Sequence, residues 1–235
     1  MLSVDSIDVF IKSSRILRNV SLKAGKGEVV CLIGRNGAGK TTTLRTIMGY
    51  LRPEKGSVSF QGEDITRKST HEISRLGIGY APEDSGIFPD LTTHENIEIS
   101  TWTKTTEKSE EERIKLAYKV FPVLEGYKKR KGTQLSGGER KMLSIARALA
   151  LDPELLILDE PFEGLAPTIV TEVARSIQDI IKMGPSIIIS ESNIYHVPDF
   201  TDTLYVIERG EIIFSGRPEE VAQEKGILKI IAGTA

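Results

Sequence analysis

The chain has 235 residues, 31 of them basic and 33 acidic, and a formal net charge of -2 leaves no global positive field to argue for nucleic acid. At this length one large α/β domain can bury a full core, and no linker divides it. Cys31 is the only cysteine, which excludes an internal disulfide and a cysteine metal cluster, and no apolar run approaches the roughly 18 residues of a membrane helix. The N-terminus, Met1-Leu2-Ser3-Val4-Asp5-Ser6, lacks a charged start followed by an apolar run. A cytoplasmic location is therefore expected, with any membrane role coming through a partner. The basic run Lys128-Lys129-Arg130-Lys131 reads as solvated surface.

In chain order, a strand is expected over residues 3–10, ending at Phe10. A second over residues 28–33, with Cys31 as a small buried apolar residue, feeds Gly34-Arg35-Asn36-Gly37-Ala38-Gly39-Lys40-Thr41. This octet has the form G-x-x-x-x-G-K-[ST], and a helix follows from Thr42. Glycines let backbone N–H groups close around phosphate oxygens, and the helix dipole favours negative charge. Lys40 reaches the β and γ phosphates, and the Thr41 hydroxyl can ligate Mg²⁺. The chain is thus expected to bind a nucleoside triphosphate along Gly34 to Thr42.

Strands are expected at 57–61 and 77–80, and then the pattern becomes helical from about 91 to 150. Thr92 with Glu95, and Ser109 with Glu112, fit capping boxes. Leu135-Ser136-Gly137-Gly138-Glu139 opens another helix in the same manner, its two glycines leaving N-terminal amides open to an anion. Residues 155–158 are continuously apolar, as in a strand buried on both faces, and end in Asp159-Glu160-Pro161. An acid at the end of a parallel strand emerges where ligands of α/β sheets lie, so Asp159 can hold Mg²⁺ through water and Glu160 can polarise an attacking water. A further apolar strand, 186–189, leads into Ser190-Glu191-Ser192-Asn193, and 203–208 with 211–215 read as a hairpin around Arg209-Gly210.

The phosphate loop, the L-S-G-G-[QE] segment and the apolar strand with two acids, in this order, resemble the ABC-type ATPases along essentially the whole chain. The resemblance implies an α/β phosphate-loop NTPase core of RecA-like type. A helical subdomain would be inserted at about 91–150, and an antiparallel β subdomain added, in one nucleotide-binding domain over 1–235. It implies ATP and Mg²⁺ as cofactors, with Thr41, Glu83 and Asp159 toward the metal and Phe10 stacking on adenine. It further implies head-to-tail pairing with a second ATPase subunit, identical or homologous, in which Leu135, Ser136, Gly137, Gly138 and Glu139 cap the γ-phosphate of the opposite copy. The partners would be transmembrane permease subunits, holding the chain at the inner face of the cell membrane.

Gly62-Glu63-Asp64-Ile65-Thr66, Leu76 to Glu83, Ile87-Phe88-Pro89 and Glu163-Gly164-Leu165-Ala166-Pro167 look like the ATPase subunits of branched-chain amino acid importers. That implies import of such a solute, with a solute-binding protein acting indirectly; a urea or amide importer fits nearly as well. Asp159-Glu160-Pro161-Phe162 and Gly138-Glu139-Arg140 also resemble the lipopolysaccharide-export ATPase, which is the alternative. A soluble ABC ATPase outside transport is a third reading, opposed by the lack of a long coiled-coil insertion and of a second cassette.

Three positions depart from the family. Glu83 stands where most members have Gln, and Glu163-Gly164-Leu165 occupies a loop that usually holds an Asp. Ser192 falls where the family places a histidine against the γ-phosphate, and its shorter hydroxyl implies a weaker or water-mediated contact. His196, about a helical turn later, is the other candidate for that role, while His71 and His94 are read as structural.

Overall fold

A computed structural model describes residues 1–221 and 224–232. Along the chain, β1 (Leu2–Ile11) and β2 (Ser14–Ala24) precede β3 (Val29–Ile33) and α1 (Lys40–Ile47). Then come β4 (Lys55–Phe60), β5 (Glu63–Asp64), α2 (Thr70–Arg75), β6 (Ile78–Ala81), α3 (Thr93–Thr101), α4 (Glu110–Val120) and α5 (Pro122–Gly126). The remainder is α6 (Gly137–Ala150), β7 (Leu155–Asp159), α7 (Pro167–Ile181), β8 (Ser186–Glu191), β9 (Thr203–Glu208), β10 (Glu211–Gly216), α8 (Pro218–Val221) and α9 (Lys225–Ala232). Two compact units partition the chain, one of Met1–Ile73 with Ser186–Ala235 and the other of Ser74–Pro185. The helical stretch expected at 91–150 lies inside the second, which also contains β6 and β7.

In the first unit, β1 pairs antiparallel with β2 on one side and β4 on the other, and β5 extends the sheet beyond β4. This is the antiparallel β layer that the resemblance implies. The long strand β2 is absent from the sequence expectation. Its buried positions are Leu17, Val20, Leu22 and Ala24, so the alternation slips by one residue where Asn19 adopts φ 52°. A bulge of this kind inserts a residue and breaks the period of two by which a strand is recognised. The bulge is pinned by Asp8, whose Oδ1 accepts from Arg15 at 2.7 Å and from the Asn19 amide at 2.8 Å. The Arg15 guanidinium, and after it the Asn19 amide, hold the Asp8 carboxyl below its ordinary range.

The core of this unit is β3, flanked in parallel by β8 and β9, with β10 antiparallel beyond β9. All five β3 residues are buried, as a strand covered on both faces requires. Cys31 lies opposite Ile189 on one side and Leu204 on the other, and packs with Ile33, Val206, Val221 and Ile231. Burial, and after it the charge of Glu191, pushes its thiol far up, so Cys31 is an inert packing residue.

In the second unit β6 and β7 pair in parallel, and α6 packs against α3, α4 and β6. All three expected capping boxes form, at Thr92–Glu95, Ser109–Glu112 and Ser136–Glu139. The hydroxyl in each accepts the amide three residues on while the carboxylate reaches back, so two orphan donors are satisfied at each start.

The β9–β10 turn braces the phosphate loop within the first unit. Arg209 and Gly210 both have positive φ, 48° and 80°, as a two-residue hairpin turn needs. The Gly210 amide donates to the Ala38 carbonyl at 2.8 Å, and the Arg18 amide donates to the Gly210 carbonyl at 2.8 Å. A Cβ on Gly210 would overlap the Ile16 carbonyl oxygen. Gly210→Ala is therefore expected to lose the left-handed penalty of about 1–2 kcal/mol and a further amount from the overlap. Gly27→Ala, at φ 72° with open space around it, loses the penalty alone. Urea denaturation of both variants measures the difference, and equal losses would show that the turn yields to the extra methyl.

Candidate active site

The first unit carries the phosphate loop. The Gly34 amide donates to the Glu191 carbonyl at 3.1 Å, which ties the start of the loop to the end of β8. The Ala38 amide closes a turn onto the Arg35 carbonyl at 2.9 Å. Gly39, at φ 118°, is the residue capping α1, and it offers no side-chain cap to the first helical amides. A Cβ there would come within 2.7 Å of Leu17, so the position takes glycine on both counts. The Thr43 hydroxyl returns to the Gly39 carbonyl at 2.9 Å. Lys40 is buried, with Nζ donating to the carbonyls of Gly34 at 2.7 Å and Arg35 at 3.3 Å, so the ammonium sits over the loop it serves. Thr41 and Thr42 are half-buried in the first turn of α1.

Arg35, Asn36, Gly37 and Ala38 line a cleft of about 550 Å³ together with Ser192, Glu208, Arg209 and Ile231. Ser192 thus faces the phosphate loop, at the position where the sequence reading sets a weak hydrogen bond. His196 is not among the lining residues. It ends a short 3₁₀ turn, Ile194–His196, with Nδ1 3.4 Å from Oε2 of the fully buried Glu191. Phe10, paired with Arg15 at the end of β1, is 40% exposed, which suits a stacking surface.

The acids stand in the second unit. All of β7 is buried, and it delivers Asp159, whose Oδ2 accepts from the Tyr80 hydroxyl at 3.0 Å. Glu160 follows with φ 48°, a left-handed conformation that costs a residue with a Cβ about 1–3 kcal/mol, yet its side chain is buried. The Glu163 amide closes the turn onto the Glu160 carbonyl at 3.3 Å. Hydrogen bonding toward the Glu160 side chain, then burial, then the charges of Glu160 and Glu83 push the Glu163 carboxyl up to about 7, against the opposing pull of Lys141. The sequence marks Glu163 as a departure from the general family loop and as the start of the importer-like segment; the turn that ties its amide back to Glu160 becomes visible only in the fold.

Glu83 lies exposed after β6, and its carbonyl accepts from the buried Lys141 at 2.7 Å. At the start of α6 the Ser136 hydroxyl accepts the Glu139 amide at 3.3 Å, and Glu139 Oε2 accepts the Ser136 amide at 2.7 Å. Leu135 is buried beneath them, nothing approaches a Cβ placed on Gly137, and one on Gly138 would press on Ile169 at 3.1 Å. The open face at Gly137 leaves room for a ligand from outside the unit. Hydroxyl and carboxylate oxygens are the hard donors that Mg²⁺ takes alongside phosphate and water; Thr41 in the first unit, and Glu83 and Asp159 in the second, are each of that donor type.

The ABC transporter family model matches residues 17–163. The lipopolysaccharide export system ATP-binding protein LptB of Acidithiobacillus ferridurans is 34% identical over 220 residues, 93% of this chain and 90% of that protein. LptB of Haemophilus influenzae is 33% identical over 235 residues, 99% of this chain and 97% of that protein. Among solved structures, MJ1267, an ATP-binding cassette of an ABC transporter in its ADP conformation, has a TM-score of 0.84 at 30% identity, covering 99% of this chain and 98% of that one. A nucleotide-free cassette from an ABC transporter has a TM-score of 0.85 at 28% identity, with 98% of each chain covered. The named relatives are lipopolysaccharide export ATPases, which corrects the expectation that branched-chain amino acid importers stand nearest. The chain belongs to the ABC transporter family and is an ATPase whose hydrolysis of ATP is coupled to transport.

Proposed function

We propose that this ATPase drives export of a lipid of the lipopolysaccharide class. The observation that carries the reading is identity of 33–34% to proteins named for that export along 93–99% of the chain. Import of branched-chain amino acids keeps one specific observation, the loop Glu163-Gly164-Leu165-Ala166-Pro167. A similarity sustained through every element outweighs five residues.

In this reading the phosphate loop, Gly34 to Thr42, binds the ATP phosphates through its amides and Lys40, and Phe10 stacks on adenine. Bound Mg²⁺, held by Thr41, Asp159 and Glu83 with water and phosphate oxygens, would offset charge developing on the transferred phosphoryl group. Glu160 orients the attacking water and accepts its proton, while Ser192 contacts the γ-phosphate by a short neutral hydroxyl. Leu135 to Glu139 serve the nucleotide of a second copy or homologue. MJ0796, a cassette 25% identical to this chain, is dimeric in a post-hydrolysis state bound to ADP and Pi, which supports such pairing. Among the described residues no helix is long and apolar enough to cross a membrane. Permease subunits therefore supply the path and hold the ATPase at the inner face; the comparisons lend no support to a solute-binding protein.

Purification of the tagged chain from detergent-solubilised membranes, followed by reconstitution of the co-purifying permeases in proteoliposomes, tests the cargo. Stimulation of ATPase by a lipopolysaccharide precursor is expected. Stimulation by leucine with a solute-binding protein, and none by the lipid, would return the importer reading.

Glu160→Gln is expected to bind ATP with unchanged affinity and to slow hydrolysis by about 10²–10⁴-fold, the worth of a positioned general base. Size exclusion with ATP should show a trapped dimer, and turnover near the parent rate without one would remove Glu160 from that role.

Ser192→His adds an imidazole that can donate to a phosphate oxygen as charge redistributes, so kcat should rise by more than KM changes. His196→Ala should change little, because its ring is engaged by Glu191 outside the cleft. Loss of hydrolysis in His196→Ala, with no gain in Ser192→His, would assign the contact to His196.

A further inference from the structure

A triphosphate carries several negative charges, and the groups that meet its terminal phosphate must offset them. Lys40 is one such group, although its Nζ also donates to two loop carbonyls. Ser192 faces the same cleft but offers only a neutral hydroxyl. A separate element brings a full charge there. Arg209, at the tip of the β9–β10 hairpin, lines the cleft together with Arg35 to Ala38 and Ser192. Its neighbour Gly210 donates to the Ala38 carbonyl at 2.8 Å, which fixes the turn against the loop. The arginine side chain thus starts from a backbone that cannot drift away from the phosphate site.

The turn itself does not call for arginine. Its two central residues have positive φ, 48° at Arg209 and 80° at Gly210, and turns of this geometry favour Asn-Gly or Asp-Gly. The Arg209 side chain is 88% exposed, and its Nε lies 3.5 Å from Oε1 of Glu208, which also lines the cleft. Exposed ion pairs of that kind contribute little. The contact uses Nε, and the two terminal Nη groups remain to fork onto phosphate oxygens.

We propose that Arg209 contacts the γ-phosphate of bound ATP and supplies there the positive charge that Ser192 lacks. This rests on the reading of residues 34–42 as the ATP phosphate site with Ser192 beside the γ-phosphate. ADP lacks that phosphate, so the guanidinium favours ATP over ADP. Its effect grows as charge redistributes over the γ-phosphoryl oxygens in the transition state.

The test compares the full chain with Arg209→Asn, Arg209→Lys, the Ser192→His/Arg209→Asn double variant and Lys40→Ala. Asparagine removes the charge while suiting the turn, so a functional loss with an unchanged thermal melt is not a folding effect. Calorimetric titration with ADP and with a non-hydrolysable ATP analogue, and steady-state ATPase with MgATP, are the readouts. Arg209→Asn is expected to weaken the ATP analogue about 3–10-fold and ADP by less than about twofold. Its kcat should fall about 10–100-fold. Arg209→Lys should retain most of the preference for ATP, because the charge survives. In the double variant the imidazole should recover about tenfold of the lost kcat. Equal weakening of ADP and the ATP analogue, parent-like affinities and kcat in Arg209→Asn, or no recovery in the double variant would each overturn the γ-phosphate contact. Parent-like affinities with loss of the ATP-dependent dimer on size exclusion would overturn it too, by placing Arg209 at the subunit interface. Parent-like ATP affinity in Lys40→Ala would instead overturn the phosphate-site reading itself, so the two failures read differently.

Discussion

A backbone amide can serve a phosphate only if the fold does not use it, and the first unit is arranged around that demand. Gly39 caps α1 without a side chain, so no hydroxyl or carboxylate competes for the helix's first amides. The loop is held instead through its carbonyls. Those of Gly34 and Arg35 accept from Lys40, and that of Ala38 accepts from the Gly210 amide. Two of its amides are engaged, that of Gly34 on the Glu191 carbonyl and that of Ala38 on the Arg35 carbonyl within the loop. The rest of the hold runs through the loop's carbonyls. The burial of β3 between β8 and β9 then gives the loop an origin that cannot shift without opening the core.

The second unit meets the complementary demand, which is to hold negative charge in place. Consecutive residues of an extended strand face opposite sides, so Asp159 and Glu160 could not serve one region if β7 simply continued. The left-handed turn at Glu160 breaks the alternation after Asp159 has been fixed by Tyr80. The strain at Glu160 is therefore spent on direction. Such strain persists where neighbours over-determine it, and the Glu163 amide on the Glu160 carbonyl closes the turn around it.

Much of this was legible in the sequence because the relevant signals are local. The phosphate loop, the two acids ending an apolar strand and the three capping boxes depend on residues within a few positions of one another, and the capping boxes form at the residues expected. The hairpin around Arg209-Gly210 was equally plain, since its turn fixes its register. Its contact with the phosphate loop was not, because it joins Gly210 to Ala38 across most of the chain. The strand β2 escaped for the opposite reason. Its signal is local but interrupted, as the bulge at Asn19 puts Leu17 and Val20 three apart where alternation demands two. The placement of Ser192 in the cleft, with His196 drawn to Glu191, needed the fold as well, since nothing in the sequence says which side chain a buried carboxylate will claim.

The expected nearness to branched-chain importers is the part that the named relatives corrected, and the position of that motif explains why. The loop from Glu163 to Pro167 carried most weight toward amino acid import, yet it begins three residues after Glu160, the base of the proposed mechanism. In that reading residues there answer to the chemistry of splitting ATP, which importers and exporters share. Cargo preference can leave its mark only where this chain meets its permeases, dispersed over surfaces with no fixed spacing. Similarity summed along the whole chain samples such positions, whereas a five-residue motif close to Glu160 samples one turn. That is the physical ground for weighing the full-length relatives above the loop.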